Sequence, residues 1–233
     1  MRIFVDPARL AEGELAVSGD EHHYLARVRR ARVGDAVEVV DGAGRRAAAT
    51  IARITEGETT VVLAAPEQIA ARPPHVRALV PLIKGDRMDA CLEKLVEVGV
   101  DEIVVWPAAR SVVRLPTEKR DARLARYRAA LVAAARQSGR AQVPALSFAE
   151  LAAAIAALPA GARLVLDPAS DGEPAIDPHD VTIASGPEGG FAPAELEQLA
   201  AAGFTPVGLG PRVLRADTAP VVVVALVRAL TRT

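Results

Sequence analysis

Cysteine occurs once, as Cys91, in a chain of 233 residues. One thiol excludes an internal disulfide and a cysteine-built metal cluster, and a reducing cytoplasm is the expected location. Histidine occurs four times, at His22, His23, His75 and His179, never in H-x-x-x-H or H-E-x-x-H spacing, so no metal site is expected. Aromatic residues make up only 3% of the chain, so contact with any nucleic acid should rest on charge and shape more than on stacking. No apolar run reaches the roughly 18 residues that cross a bilayer, and the longest candidate, residues 220–230, contains Arg228. The N-terminal MRIFVDPARL lacks the positive-then-apolar layout of a secretion signal. Neither G-x-G-x-x-G nor G-x-x-x-x-G-K-[ST] occurs, which disfavours both common phosphate cradles. The G-x-S-x-G elbow of serine hydrolases is also missing.

What is present is apolar residues at 51%, enough for a sizeable core. Net charge is −1, but it is unevenly spread: residues 77–140 carry 13 basic and 8 acidic side chains, and residues 141–233 carry 5 and 10. A basic block beside an acidic one suggests a local anionic partner, either a nucleic acid or a phosphorylated metabolite.

Two sequence textures divide the chain. Residues 1–70 hold short β-like pieces (RIFV, ELAVSG, AVEVVDGAG, AAATIARI, TTVVLAA) at the spacing of a small barrel or sandwich, with one short helix at EHHYLARVRR. The proline-rich PEQIAARPPHVR reads as a stiff linker. From residue 75 onward, apolar runs (RALVPLI, EIVVWP, ARLVLD, VTIASG, FTPVGLG) alternate with helical patterns, which predicts a parallel sheet covered on both faces. DRMDACLEKLVEVG places Met88, Cys91, Leu92, Leu95 and Val98 near one helix face, with Gly99 as its stop. In SFAELAAAIAAL, Ser147 and Glu150 have capping-box spacing. The tail TAPVVVVALVRAL is ambiguous: four valines favour a strand, whereas Asp217, Thr218 and Pro220 favour helix entry.

Three glycine-bent loops follow strands or helices of this second part. SGPEGGFAP, residues 185–193, holds three glycines, more than one turn needs, and a single acid, Glu188. GLGPRVLRADTAP, residues 208–220, places Arg212 and Arg215 three apart before Asp217. AARQSGRAQVP, residues 134–144, breaks a helix at Gly139. Each alone is compatible with a plain turn or cap. Two such loops after strands of one parallel sheet point to a shared pocket, which the strand end LVLDP, residues 164–168, could complete.

Together, ARQSGR, GPEGGF and LGPRVLRADTA resemble the RsmE family, bacterial 16S ribosomal RNA uridine-N3 methyltransferases of the SPOUT class. KGDRMDACLEKLVEVGVDEIVVW is similar to that family's first strand–helix–strand, and HYLARVRRARVGD to its N-terminal segment. Arg29 stands where leucine is usual, and Asp217 where glutamate is usual. The resemblance implies a PUA-like RNA-binding β-barrel over residues 1–70 and, over 75–233, a SPOUT α/β domain with a parallel sheet and a deep trefoil knot. It implies S-adenosylmethionine as cofactor, 16S rRNA or the small ribosomal subunit as substrate, and a homodimer. Cofactor contacts are then expected from Leu166, Gly186, Pro187, Glu188, Gly189, Gly190, Leu209, Gly210, Arg212, Val213 and Leu214. Arg215 is expected to stabilise the uracil anion that forms as N3 is methylated. Glu188 or Asp217 would take the proton or hold Arg215. RNA phosphates would meet Arg2, Arg27, Arg29, Arg30, Lys84, Arg87, Arg136 and Arg140. Phe4, Tyr24 and Phe191 are candidates either for stacking on a flipped base or for ordinary packing. The competing readings are a non-catalytic RNA-binding assembly factor and a SPOUT enzyme acting on another RNA.

Overall fold

Alternation of apolar and polar residues builds the first sheet of the computed structural model, which describes residues 1–172 and 180–231. His179 lies outside the described residues. Strands β1 (Arg2–Phe4), β2 (Gly13–Val17), β3 (Ala36–Val40), β4 (Arg45–Ile54) and β5 (Thr59–Leu63) pair in the order β1-β3-β4-β5-β2, and β6 (Glu67–Gln68) adds to β4. In β4, Ala47, Ala49 and Ile51 point inward at every second position, and they meet Leu15, Val17, Val37, Val39 and Val61 in one core. The short helix α1 (Gly19–His23) continues as a wider π-type turn over Tyr24–Val28. His22 is a packing residue: its ring nitrogens lie 2.9 Å from the Thr59 hydroxyl and 3.0 Å from the Glu56 carbonyl.

The second sheet is parallel throughout. Its strands β7 (His75–Pro81), β8 (Glu102–Trp106), β9 (Ala145–Phe148), β10 (Ala162–Leu166), β11 (Asp180–Ala184) and β12 (Thr205–Val207) lie in the order β12-β10-β11-β7-β8-β9. The central strand β7 is buried on both faces, which is why its sequence is almost continuously apolar. The connecting helices are α2 (Asp86–Val98), α3 (Arg120–Ser138), α4 (Leu151–Ala156), α5 (Pro193–Ala201) and α6 (Ala219–Leu230). Two compact units result: Met1–Ala71 with Ala135–Val143, and Arg72–Ala134 with Pro144–Thr233. No described helix is long and apolar enough to cross a membrane.

Two local expectations are corrected. Ser147 lies inside β9, and α4 begins after Glu150 without a side-chain cap, so the Ser147–Glu150 spacing is not a capping box. Pairing with β8, in which Ser147 stands opposite Val104, fixes that backbone as strand instead. In α2, Met88, Cys91, Leu92 and Leu95 are buried as expected; Val96 completes the buried face, while Val98 is only half-buried.

The ambiguous tail is helix α6. Pro220 occupies its first turn, where a missing N–H costs nothing, and Val223, Val224 and Val227 are fully buried. At about 1.5–3 kcal/mol for each buried valine, packing outweighs the weak helix propensity of β-branched residues. Arg228, the lone cation of this helix, is consumed internally. Its Nε donates to the Gly99 carbonyl at 2.9 Å, Nη1 donates to the Pro74 carbonyl at 2.7 Å, and Nη2 meets Asp101. These bonds anchor the C-terminal end of α6 beside β7 and the end of α2.

Cys91 is 1% exposed, and burial, reinforced by the negative charge of Asp217, pushes its thiol up to about 12. At pH 8 the thiolate fraction is then on the order of 10⁻⁴. The native protein should therefore show no reaction with a thiol-specific chromogenic reagent over an hour, and one equivalent should react in denaturant. Prompt labelling of the native state would contradict the packing of α2 against α6.

Candidate active site

Three loops converge at the C-terminal ends of adjacent parallel strands, where open α/β sheets place their ligands. They follow Leu166 of β10, Ala184 of β11 and Val207 of β12. Between them lies a cavity of about 420 Å³, within the roughly 300–1,000 Å³ range of small-molecule sites. Its wall contains Leu166, Asp167, Pro168, Ser185, Gly186, Pro187, Glu188, Gly190, Phe191, Leu196, Val207, Leu209, Arg212, Val213, Leu214, Arg215, Ala216 and Ala219.

Of the residues singled out from sequence, Leu166, Gly186, Pro187, Glu188, Gly190, Leu209, Arg212, Val213, Leu214 and Arg215 share this wall; Gly189, Gly210 and Asp217 do not. Gly189 faces away, toward the loop after β8. A Cβ there would stand 3.0 Å from Arg110 Cβ and 3.1 Å from the Arg110 carbonyl oxygen. Gly210 turns the chain with φ +88° in open space. Asp217 packs behind the loop. One of its carboxylate oxygens is buried without a hydrogen-bond partner, and its charge acts on Cys91 of α2.

Bareness of the loops serves close packing. A Cβ on Gly186 would come within 3.0 Å of the Phe191 ring, which stacks on Trp106 at 5.9 Å between centroids and 12° between planes. Phe191 is therefore a packing residue at the cavity edge. None of the backbone N–H groups of Leu209, Gly210, Arg212, Val213 and Leu214 donates to another backbone group among the described residues. The wall thus combines apolar side chains with main-chain donors left for a ligand, a match for the adenine and ribose of a nucleoside cofactor. Glu188, at the rim, pairs with Arg87 at 3.6 Å and is the one carboxylate of the glycine loop. It gives the cavity a group of the right sign for a sulfonium.

Arg215 is exposed and lines the cavity from the turn that starts α6. Its carbonyl accepts from the N–H groups of Thr218 and Ala219, each at 2.9 Å, which fixes its backbone to the helix entrance. Among the described residues its guanidinium has no ion-pair partner.

The other arginines separate into two groups. Arg27, Arg29 and Arg30 are exposed, as are Lys84 and Arg87, the last also paired with Glu188. Arg2 and Arg136 are engaged. Arg2 Nε donates to Glu38 at 2.6 Å. Arg136 pairs with Glu21 and lies 4.7 Å above the Tyr24 ring and 5.7 Å above that of Phe4. Burial pushes the Glu21 carboxyl up, against the opposing pull of the Arg136 charge. Phe4 and Tyr24 are accordingly tied to Arg136 inside the first unit. Arg140 follows Gly139, its N–H bonded to the Ala135 carbonyl at 2.9 Å, and is half-buried.

Sequence reasoning missed the outer support of the glycine loop, made by Arg110 and Glu195. Glu195 had a signal, since A-P-x-E just before an apolar run places an acid in the first turn of a helix. Arg110 had none, because its partner lies 79 residues away.

Residues 71–228 match the family described as RNA methyltransferase domain, and residues 17–64 match RNA methyltransferase PUA domain. The ribosomal RNA small subunit methyltransferase E of Mycobacterium bovis is 33% identical over 99% of this chain and 92% of its own length. That of Bacillus subtilis is 27% identical over 88% of this chain and 86% of its own. Among solved structures, a Legionella pneumophila methyltransferase in complex with S-adenosylmethionine aligns with a TM-score of 0.88 at 27% identity, covering 98% of this chain and 97% of that one. The Neisseria gonorrhoeae ribosomal RNA small subunit methyltransferase E, bound to the same cofactor, aligns at 0.86 and 26%, covering 98% and 97%. With most of its length inside the family match and a relative one-third identical from end to end, the chain belongs to the ribosomal RNA small subunit methyltransferase E family.

Proposed function

We propose that the protein transfers a methyl group from S-adenosylmethionine to N3 of a uridine in small-subunit ribosomal RNA. The observation that carries this reading is the cavity at the ends of β10, β11 and β12: apolar walls, unused main-chain donors, the carboxylates of Asp167 and Glu188, and two arginines, Arg212 and Arg215, with no ion pair among the described residues. When bound, the cofactor supplies an electrophilic methyl group. The chain's own residues do the rest. Leu166, Leu209 and Leu214 would hold the adenine, and the amides of the loops after β11 and β12 would serve as donors to it and to the ribose. Glu188 would hold the cationic end.

Uracil N3 carries a proton at neutral pH, so negative charge must be accommodated on the flanking carbonyl oxygens as that proton leaves. Arg212 and Arg215 both lie on the cavity wall with no ion pair among the described residues; Arg215, whose backbone is fixed at the entrance of α6, is the one assigned to stabilise that charge. Of the two acids considered, Glu188 lines the cavity and Asp217 does not, which supports Glu188 for any direct contact with substrate. The exposed Arg27, Arg29, Arg30, Lys84 and Arg87 bind RNA phosphates. The reading extends to closure of the first sheet into a PUA-like barrel and to a deep trefoil knot; the supports are the single core that the first sheet wraps and the close backbone packing of residues 206–208 on 170–172. It also extends to a cytoplasmic homodimer, whose supports are the exposed Leu226 and Leu230 on α6 and Val213 at the cavity rim.

Calorimetry with S-adenosylmethionine, followed by transfer of labelled methyl to small subunits that lack the mark, tests the proposal. Saturable binding and a new primer-extension arrest are expected. RNA binding with no cofactor heat and no label would instead identify an assembly factor, and label entering only transfer RNA would identify another substrate class.

A further inference from the structure

Glu195 is among the few charged residues that the structure buries, at 8% exposed. It sits in the first turn of α5, directly after the glycine loop, and its two oxygens serve two separate segments. Oε2 accepts from the Ala192 N–H at 2.7 Å, which closes the start of the helix. Oε1 accepts from the Ala109 N–H at 2.7 Å, 86 residues earlier in the chain. A helix cap needs only the first bond, so the second has another consequence.

Ala109 belongs to a tight turn after β8, in which the Ser111 N–H bonds the Ala108 carbonyl at 3.0 Å. The next residue, Arg110, bears on the outer side of the glycine loop: its Nη1 donates to the Gly189 carbonyl at 3.3 Å, and its Cβ occupies the space that Gly189 leaves free. Upstream, Trp106 stacks on Phe191. Residues 186–191 are thus gripped from outside by the segment 106–111, while their inner side lines the cavity.

We propose that Glu195 is a positioning residue. By binding the 106–111 segment and the start of α5 with one buried carboxylate, it sets the curvature of the 186–191 loop and so the placement of that loop's cofactor-facing backbone groups. The inference rests on reading the cavity as the S-adenosylmethionine site. It reaches beyond that reading because Glu195 is not itself one of the residues that line the cavity.

Alanine at 195 leaves the Ala109 and Ala192 N–H groups, both in part-buried bonds, without their carboxylate acceptor. Glutamine keeps one acceptor oxygen and turns an NH₂ toward the other donor, so it should rescue in part. The cofactor affinity of Glu195→Ala is expected to fall by about thirtyfold and that of Glu195→Gln by about fivefold, the scale of losing two and one part-buried hydrogen bonds. RNA affinity should stay within about twofold, because the exposed arginines are untouched. In steady state the loss should appear in KM for the cofactor and leave KM for RNA unchanged. Gly189→Ala, which displaces Arg110 from the same loop without touching Glu195, should reproduce the cofactor defect and carries the test should Glu195→Ala fail to fold.

A residue that only stabilises the fold would lower the melting temperature of these variants and leave the cofactor KM of the folded protein within twofold of wild type; that result overturns the proposal. Absence of cofactor binding by the wild-type protein removes the parent reading and this inference with it, so the two failures are separable in one titration series.

Discussion

Arg215→Ala is expected to slow methyl transfer by about 10²–10³-fold at saturating cofactor and RNA. Cofactor affinity should stay within about threefold, a change of less than about 1 kcal/mol. The expectation follows from where the residue sits and what it lacks. Its backbone is fixed by two hydrogen bonds at the entrance of α6, its side chain is exposed on the cavity wall, and no described carboxylate neutralises it. A cation held in place in this way makes its strongest interaction with charge that appears during the reaction, which lowers the barrier without tightening ground-state binding. Lysine should restore only part of the rate, because a single ammonium cannot present the planar fork that a uracil carbonyl meets. Arg212, also exposed on the same wall, is the internal comparison. The measurement is single-turnover transfer of labelled methyl with saturating components, beside a cofactor titration. A rate loss below fivefold would remove Arg215 from the chemistry. A parallel collapse of cofactor affinity would make it a binding residue instead.

How much of this was legible beforehand depends on the kind of signal. The close spacing of short β-like pieces, followed by apolar runs alternating with helical patterns, announced the two textures of the chain; burial alternates along β4, whereas β7 is covered on both faces. Glycine-bent loops after parallel strands announced the pocket, and ten of the residues singled out for it share its wall. What stayed hidden was tertiary. The four valines of α6 are neutral between strand and helix until a partner face exists to bury them. Ser147 has the spacing of a cap, but β8 offers its strand a ladder, and the ladder fixes the backbone. Arg2 and Arg136 count as basic in any composition argument, yet Glu38 and Glu21 hold them within the first unit. The stretch Ala135–Val143 belongs to that unit as well, a placement no local pattern encodes. Glu195 and Arg110 act through partners 86 and 79 residues distant, which is why a reading built on local motifs passes over them.

Gly208→Ala should abolish measurable cofactor binding, a loss of at least about 100-fold, although alanine is the smallest possible change. An ideal Cβ at this position would lie 1.8 Å from the Ser170 carbonyl oxygen, far inside any contact distance, so the backbone itself must move. The demand is steric, since the closeness comes from two segments laid against each other. The Asp167 N–H bonds the Val207 carbonyl at 3.0 Å, the Ser170 hydroxyl donates to the Pro206 carbonyl at 3.1 Å, and the Gly208 N–H reaches the Gly172 carbonyl at 3.2 Å. A Cβ on Gly172 would likewise stand 2.5 Å from the Pro206 carbonyl oxygen. Both segments line the cavity, through Asp167 and Pro168 on one side and Val207 and Leu209 on the other, so separating them widens the site and shifts the run that leads to Arg215. Gly210→Ala provides the contrast. That glycine has φ +88° but open space around it, so alanine there costs about 1–2 kcal/mol of backbone strain without a collision. Cofactor titrations of the two variants, each checked by circular dichroism and melting, separate the cases. Gly208→Ala should stay folded at low temperature and lose the cofactor, whereas Gly210→Ala should bind it with an affinity reduced by about tenfold or less. Equal binding by both would show that the pressed segments do not shape the site, and the cofactor would then have to be held by the loop after β11 alone.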